Sequence, residues 1–119
     1  MAMDRRALGH RGEAIAARYY LDRGYTLAAH NYRTREGELD LVLKKGALLV
    51  IAEVKTRTAT GHGQPCEAVD RGKQQRLVLA AGSYLAEFPH DGPVRFDVVE
   101  VLPGQNGWQV HCIAGAFEC

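Results

Sequence analysis

Of the seven charged residues in the stretch GELDLVLKKGALLVIAEVKTR, residues 37–57, four are of interest for chemistry. They are the carboxylates of Glu38, Asp40 and Glu53 and the amine of Lys55. The carboxylate oxygens of Asp40 and Glu53 suit Mg²⁺ or Mn²⁺, and the nearby Lys55 can orient a water molecule or stabilise negative charge in a transition state. The chemistry that such a set offers is metal-assisted hydrolysis of a phosphodiester.

The same stretch predicts a β-hairpin with Gly46 in its turn. With Gly46 and Ala47 as the two central residues of a type II′ turn, Asp40 lies opposite Glu53 on one face. Like charges in opposed positions destabilise a sheet, so this register requires a cation or a proton between the two carboxylates. A type I′ turn on Lys45 and Gly46 would shift the pairs by two residues and keep the faces, whereas a three-residue loop would break the alignment.

A structural role for these charges is the alternative. Glu38 and Lys55 would then form a cross-strand ion pair, and Asp40 and Glu53 would point into solvent at a sheet edge. The neighbouring sequence argues against this, because LLVIAEV is almost continuously apolar, as is typical of a strand buried on both faces.

A helix that precedes the hairpin should carry a fourth acid. It is predicted from about Arg6 to Arg23, with Gly24 as its left-handed C-terminal residue. Glu13 lies three and four residues before the first members of the apolar stripe, so its carboxylate should face the core and need a partner. The predicted stripe consists of Ala16, Ala17, Tyr20 and Leu21.

The remaining pattern predicts a strand over 25–33 and, after a loop at 58–67, a second helix from the N-cap Asp70 to about Phe88. Strands over 94–102 and 108–114 follow. The order of helix, three strands, helix and two strands predicts a single α/β domain over residues 1–119, with a central mixed sheet flanked by helices. The apolar repeat of the second helix consists of Leu77, Ala81, Tyr84, Leu85 and Phe88.

Composition is that of a soluble globular protein, with 119 residues of which 46% are hydrophobic and 24% charged. The longest apolar run, ALLVIA, is far short of the roughly 20 residues that cross a bilayer, and no apolar segment follows the basic N-terminus. We therefore expect a cytoplasmic protein without membrane contact. Cys66, Cys112 and Cys119 show no CxxC spacing, which argues for free thiols rather than a disulfide framework or a zinc ribbon.

The spacing of Asp40 and Glu53-Val54-Lys55 resembles the PD-(D/E)xK pattern of the restriction-endonuclease-like superfamily, with Leu39 at the nominal proline position. The chain as a whole is similar to the YraN family of small bacterial proteins. The segments that match this family span most of the chain: Gly12-Glu13, Gly24-Tyr25, Asn31, GELDL at 37–41, EVKTR at 53–57, EAV at 67–69, Lys73 and RFDV at 95–98.

The resemblance implies a restriction-endonuclease-like αβββαβ core and kinship to archaeal Holliday junction resolvases. It implies Asp40 and Glu53 as metal ligands, the Val54 carbonyl as a further ligand, Lys55 as the catalytic lysine and Glu13 as a supporting acid. The implied cofactor is Mg²⁺ or Mn²⁺, and the implied substrate is DNA, including branched, Holliday-junction-like DNA. A homodimer is implied too, because resolving a junction takes two incisions and a symmetric dimer has two sites.

Three cations are candidates for contacting nucleic acid. Lys73 and Arg76 lie near the start of the second helix, where its dipole favours phosphates, and Arg57 extends the strand face of Lys55. Each is equally consistent with a solvated surface cation. Asp97, in the segment RFD, is expected to form a structural ion pair with an arginine.

Two other classes of function compete with a nuclease. The first is a nucleic-acid-binding module with little or no cleavage activity, which the modest net charge of +1 favours. The second is a structural or protein-interaction domain with solvated hairpin charges. Arginine is concentrated in residues 1–35, which hold seven Arg against three acidic residues, and such a region can meet phosphates or form a solvated helix face.

Overall fold

The computed structural model describes residues 5–57 and 71–117. The predicted N-cap Asp70, the loop at 58–67 and two of the cysteines, Cys66 and Cys119, lie outside these ranges. Neither helix in the described ranges is long and apolar enough to cross a membrane. The elements are α1 (Arg5–Leu21), β1 (Thr26–Arg33), β2 (Glu38–Lys45), β3 (Leu48–Thr56), α2 (Arg71–Glu87), β4 (Val94–Gly104) and β5 (Gly107–Phe117).

The five strands form one sheet in the order β1-β2-β3-β4-β5. Strands β3 and β4 pair in parallel, and every other neighbouring pair is antiparallel. The parallel pair requires a crossover, and α2 lies in that connection. This confirms the predicted α/β class with a mixed sheet flanked by helices, and it is consistent with a restriction-endonuclease-like core.

Strand β3 is buried on both faces, as its apolar sequence predicts. Its residues Leu49 and Ile51 pack with α2, whereas Val50 and Ala52 pack with α1. Each helix therefore covers one face of the sheet, and β3 lies in the middle of the core. Any charged residue on β3 is consequently placed in a largely dehydrated setting, where it needs a partner.

Helix α1 follows the prediction except at its last turn. Ala16 and Tyr20 are buried, and the chain leaves the helix through Gly24 at a φ of 90°. Leu21, predicted to face the core, is 43% exposed, so this prediction is wrong. The reason is that α1 ends at this residue, and the turn that follows leaves its side chain in solvent.

Helix α2 buries Leu77, Ala81 and Tyr84, which confirms most of the predicted stripe. Phe88 is 48% exposed instead of buried, because α2 ends at Glu87. Its ring still lies against Tyr84, with 5.1 Å between the ring centroids.

The hairpin forms in the predicted register. Leu41 pairs with Ala52, and the turn has a positive φ of 58° at Gly46 but not at Ala47, which is the type II′ pattern. The ladder stops one pair before Asp40 would meet Glu53. The two strands thus come apart at the position where two carboxylates would otherwise be pressed together.

Asp97 forms the structural ion pair that was expected. Arg95 donates two hydrogen bonds to its carboxylate, at 2.8 and 2.9 Å, and Tyr20 and the backbone of Gly115 donate two more, at 2.8 and 3.0 Å. Asp97 is 1% exposed, so these four donors replace its hydration. Since Tyr20 belongs to α1 and Gly115 to β5, the carboxylate ties the helix to the far strands.

Gly12 lets α1 approach the end of β3 closely. A methyl group at this position would overlap the Thr56 side chain and lie 2.9 Å from its Cβ. Gly12 is buried and directly precedes Glu13, so this close approach sets how near the Glu13 carboxylate comes to the sheet.

We predict that Gly12→Ala lowers the unfolding midpoint by roughly 4–10 °C, because overpacking costs about 1–3 kcal/mol. Gly9→Ala is the control, because a methyl group added at Gly9 would meet no neighbouring side chain or strand atom within 4 Å, and alanine is the better helix former. Thermal unfolding of these variants, of Thr56→Gly and of the double variant Gly12→Ala/Thr56→Gly measures the coupling. Additive effects of the two substitutions would show that the contact is not what constrains α1.

Candidate functional site

The Asp40 carboxylate lies where β2 and β3 separate. Its Oδ2 accepts a hydrogen bond from the Val54 backbone N–H at 2.9 Å, in the gap that the ladder leaves. Burial raises the pKa of Asp40 to about 8, and the charges of Glu53 and Glu13 act in the same direction, against the bond from Val54. At neutral pH this carboxyl therefore holds a proton unless a cation takes the proton's place.

Three carboxylates from two elements converge on this point. Glu13 on α1 and Glu38 and Asp40 on β2 each bring an oxygen within 4.8 Å of the others, and the group could hold a metal ion. All three side chains are partly buried. Sequence reasoning selected Glu13 and Asp40, but it assigned no metal-binding role to Glu38.

Asn31 links two of these acids, and sequence reasoning noted it in the family resemblance without giving it a role in the site. Its Nδ2 donates to Glu13 at 3.0 Å and to Glu38 at 2.8 Å, which links α1 to β2. Its backbone has a φ of 50°, in the left-handed region that Asn tolerates better than most residues. An Asn within a predicted strand was the available signal, since this residue type is depleted in strands.

Glu53 lies next to Asp40 but is neutralised differently. Lys73 approaches its Oε1 to 2.5 Å and Lys55 approaches the same oxygen to 3.4 Å. Glu53 is 6% exposed, so the solvated alternative for this residue is wrong. Both acids line one cavity of about 250 Å³ on the α2 side of the sheet, together with Lys73 and Arg76.

The two lysines are biased in opposite directions by their surroundings. Burial lowers the pKa of Lys55, and the neighbouring ammonium of Lys73 lowers it further. Burial also acts to lower the pKa of Lys73, but its contacts with Glu53 and Lys55 and the charge of Asp40 together outweigh this, and the pKa is raised. Lys55 is consequently the amine that gives up a proton more readily.

The remaining predicted residues divide between buried partners and solvent. Arg57 lies 3.1 Å from the buried carboxylate of Glu100 on β4, whereas Arg76 is exposed on α2. Glu38 contacts Arg33 at 3.4 Å and does not form the alternative pair with Lys55. Of the three cations expected to contact nucleic acid, two form ion pairs with buried carboxylates: Lys73 with Glu53 and Arg57 with Glu100.

The raised pKa of Asp40 predicts a specific dependence of stability on pH. Its pKa rises from 3.8 to about 8 on folding, so the proton that it binds stabilises the fold fully below about pH 4. This contribution is lost as the pH rises towards 8. Asp40→Asn keeps an acceptor for the Val54 N–H and carries no charge, so it should not show the loss.

We therefore expect wild type, free of metal, to lose at least about 4 °C in unfolding midpoint relative to Asp40→Asn between about pH 5 and pH 9. Asp22→Asn, which removes an exposed acid from the turn that follows α1, is the control. A constant difference between wild type and Asp40→Asn over this range would mean that Asp40 is not confined among like charges.

Comparison with known proteins identifies the family of the chain. Residues 12–101 match the model of the uncharacterised protein family UPF0102, a range that contains the three acids, Asn31 and both lysines. A UPF0102 protein of Clavibacter michiganensis is 50% identical over 101 residues, covering 84% of this chain and 86% of the relative. One from Alkaliphilus metalliredigens is 43% identical over 115 residues, covering 94% and 98%. The chain therefore belongs to the UPF0102 family.

Proposed function

We propose that this protein is a metal-dependent endonuclease that hydrolyses phosphodiester bonds in DNA, and that its resemblance to the PD-(D/E)xK superfamily reflects kinship. The observation that carries the proposal is the convergence of Glu13, Glu38 and Asp40 within 4.8 Å, beside a sheet face that also bears Lys55. In metal-assisted phosphodiester hydrolysis carboxylates hold the cation, and an amine of lowered pKa beside them is typical of a catalytic site.

The donor set fits a divalent cation. Three carboxylates offer hard oxygen ligands, and burial with nearby acids makes the ionised form of Asp40 unfavourable until a positive charge joins it. Glu13, Glu38 and Asp40 would hold the ion, with Glu53 and the Val54 carbonyl on its β3 side. Mg²⁺ or Mn²⁺ supplies a Lewis acid for the phosphate and a lower pKa for water when bound.

Lys55 is the residue to which we assign the catalytic amine. Its Nζ lies 3.4 Å from Glu53 Oε1, which fixes its position on the strand. From there it orients the attacking water and stabilises charge on the phosphate. Lys73 on α2 also contacts Glu53 and completes the neutralisation of this carboxylate. One carboxylate on β3 therefore orients two ammonium groups.

The substrate that we assign is DNA, with branched DNA first among its forms and a homodimer as the acting species. These assignments rest on the resemblance to junction resolvases. Arg76, exposed at the rim of the cavity that contains Asp40 and Glu53, is placed to contact a phosphate that enters it.

One observation favours a nucleic-acid-binding module that cleaves little or nothing. The Glu53 carboxylate, which the resemblance implies as a ligand, already contacts Lys73 and Lys55. If these contacts persist when a cation binds, the ion keeps only the three other acids, and the lysines remain engaged.

Cation binding has its own test. Mg²⁺ or Mn²⁺ should raise the unfolding midpoint of wild type, by an amount that corresponds to about 2.7 kcal/mol at a hundredfold excess over Kd. Asp40→Ala and Glu38→Gln should lose most of this response, because each removes a ligand. Asp22→Asn should keep it. An undiminished response in both site variants would exclude the three-acid group as the binding site.

Cleavage is tested separately on linear, single-stranded, flapped and four-way DNA with Mg²⁺ or Mn²⁺. We expect Lys55→Ala to reduce the incision rate at least about 100-fold, as loss of a transition-state contact does. Lys44→Ala, which removes an exposed lysine from β2, should cut like wild type. Equal residual cutting by wild type and Lys55→Ala would mean that the activity is not this protein's, and binding without cutting would establish the module.

A further inference from the structure

A second, more open cavity of about 540 Å³ lies beside the turn that joins β1 and β2. The proposed function uses none of the residues around it. They combine two arginines, an aromatic ring and small polar groups: Tyr32, Arg33, Thr34, Arg35, Ser83 and Glu87. Arginines next to aromatic rings are the combination that proteins use to hold unpaired nucleotides, with the phosphates on the cations and the bases on the rings.

The two arginines are available to an anion. The Arg33 side chain is 83% exposed, and its contact is the 3.4 Å approach to Glu38. Arg35 is exposed and pairs with no carboxylate in the described part of the chain. Exposed ion pairs are worth little, so a phosphate can compete for Arg33 at low cost.

The turn that carries Arg35 and directly follows Arg33 is held by several hydrogen bonds. Thr34 and Gly37 exchange backbone hydrogen bonds, and the Thr34 hydroxyl accepts from the backbone N–H of Glu36 at 3.1 Å. The Glu36 carboxylate in turn accepts from Ser83 of α2 at 2.8 Å. A turn anchored in this way presents its side chains with little ordering left to occur on binding.

The aromatic wall belongs to a cluster of three rings. Tyr32 lies edge-to-face on Tyr84, with 5.1 Å between the centroids, and Phe88 lies 6.2 Å from Tyr32. Phe88 remains 48% exposed, so part of an aromatic surface faces solvent next to the cavity. Glu87 accepts a hydrogen bond from the Tyr32 hydroxyl, and its charge directs phosphates towards the arginine side.

This cavity adjoins the candidate metal centre. Arg33 contacts Glu38, a member of the three-acid group, and Glu36 at the shared turn lines the cavity that contains Asp40. A strand whose phosphate lies at the acids would therefore pass over the turn into the second cavity. Bases in a duplex are stacked and paired, so only an unpaired segment could offer them to the rings.

We infer that the cavity is a binding subsite for an unpaired nucleotide that flanks the cut, with Arg33 and Arg35 on its phosphates and its base against Tyr32 and Phe88. The inference rests on the proposed function and narrows it to DNA with a single-stranded segment beside the incision, such as a flap or an open junction.

The test measures binding rather than cutting. A fluorescent oligothymidylate and a duplex of the same length are titrated, by anisotropy, without divalent cations and again with Ca²⁺. Arg35→Gln is used because Arg33 also touches Glu38, and Phe88→Leu removes the flat ring while keeping apolar volume. The matched control is Arg18→Gln, which lies on α1 across the sheet and pairs with Asp22. Unfolding midpoints check that each variant is folded.

We expect Arg35→Gln to weaken single-strand binding several-fold and to reduce the salt slope by about one. Phe88→Leu should weaken single-strand binding about tenfold and leave duplex binding unchanged. Arg18→Gln should bind like wild type. Wild-type single-strand affinity in both site variants would overturn the inference, as would an equal effect of Phe88→Leu on both probes or no single-strand binding by wild type.

Incision assays on the same proteins separate the two claims. If the variants selectively lose single-strand binding and wild type makes no incision, the subsite is supported and the nuclease activity is rejected. If wild type makes incisions and the variants bind and cut like wild type, the nuclease activity is supported and the subsite is rejected.

Discussion

Repulsion among the carboxylates at the end of the β2–β3 ladder determines how the candidate site is built. Carboxylate oxygens of Glu13, Glu38 and Asp40 lie within 4.8 Å of one another. Burial, together with the charges of Glu53 and Glu13, raises the pKa of Asp40 to about 8. A fold tolerates such a group when it is neutralised by protons, cations or hydrogen-bond donors. The surroundings supply two hydrogen-bond donors, the Asn31 amide and the Val54 N–H, and one cation, the Arg33 guanidinium.

The scaffold places the acids through a few close contacts. Gly12 brings α1 onto the end of β3, Asn31 links Glu13 to Glu38, and Asp97 fastens the other end of α1 through Tyr20. Helix α2 approaches from the opposite face and contributes Lys73 to Glu53. The site is thus built where two helices on opposite faces reach the same break in the hairpin.

Much of this arrangement follows from local sequence. The apolar run of β3 predicts a strand buried on both faces, and Gly46 fixes a two-residue turn, so the register and the shared face of Glu53 and Lys55 can be derived. The inward position of Glu13 follows from helical periodicity alone.

The membership of the site could not be derived in the same way. Glu53 could bind a cation with the other acids or form ion pairs with the lysines. Which of the two occurs depends on where the ladder stops and on how far Lys73 reaches from α2, and both are set by tertiary structure. Asn31 contributes through a left-handed backbone that strand periodicity does not describe. Leu21 and Phe88 were misplaced because a stripe does not reveal the residue at which its helix ends.

Anomalous diffraction from crystals grown with Mn²⁺ would show whether the three carboxylates hold a divalent cation. We expect an anomalous peak about 2.2 Å from carboxylate oxygens of Glu13, Glu38 and Asp40, the distance typical of small divalent cations. A well-ordered crystal with saturating Mn²⁺, no peak among these oxygens and Asp40 unchanged beside the Val54 N–H would contradict it.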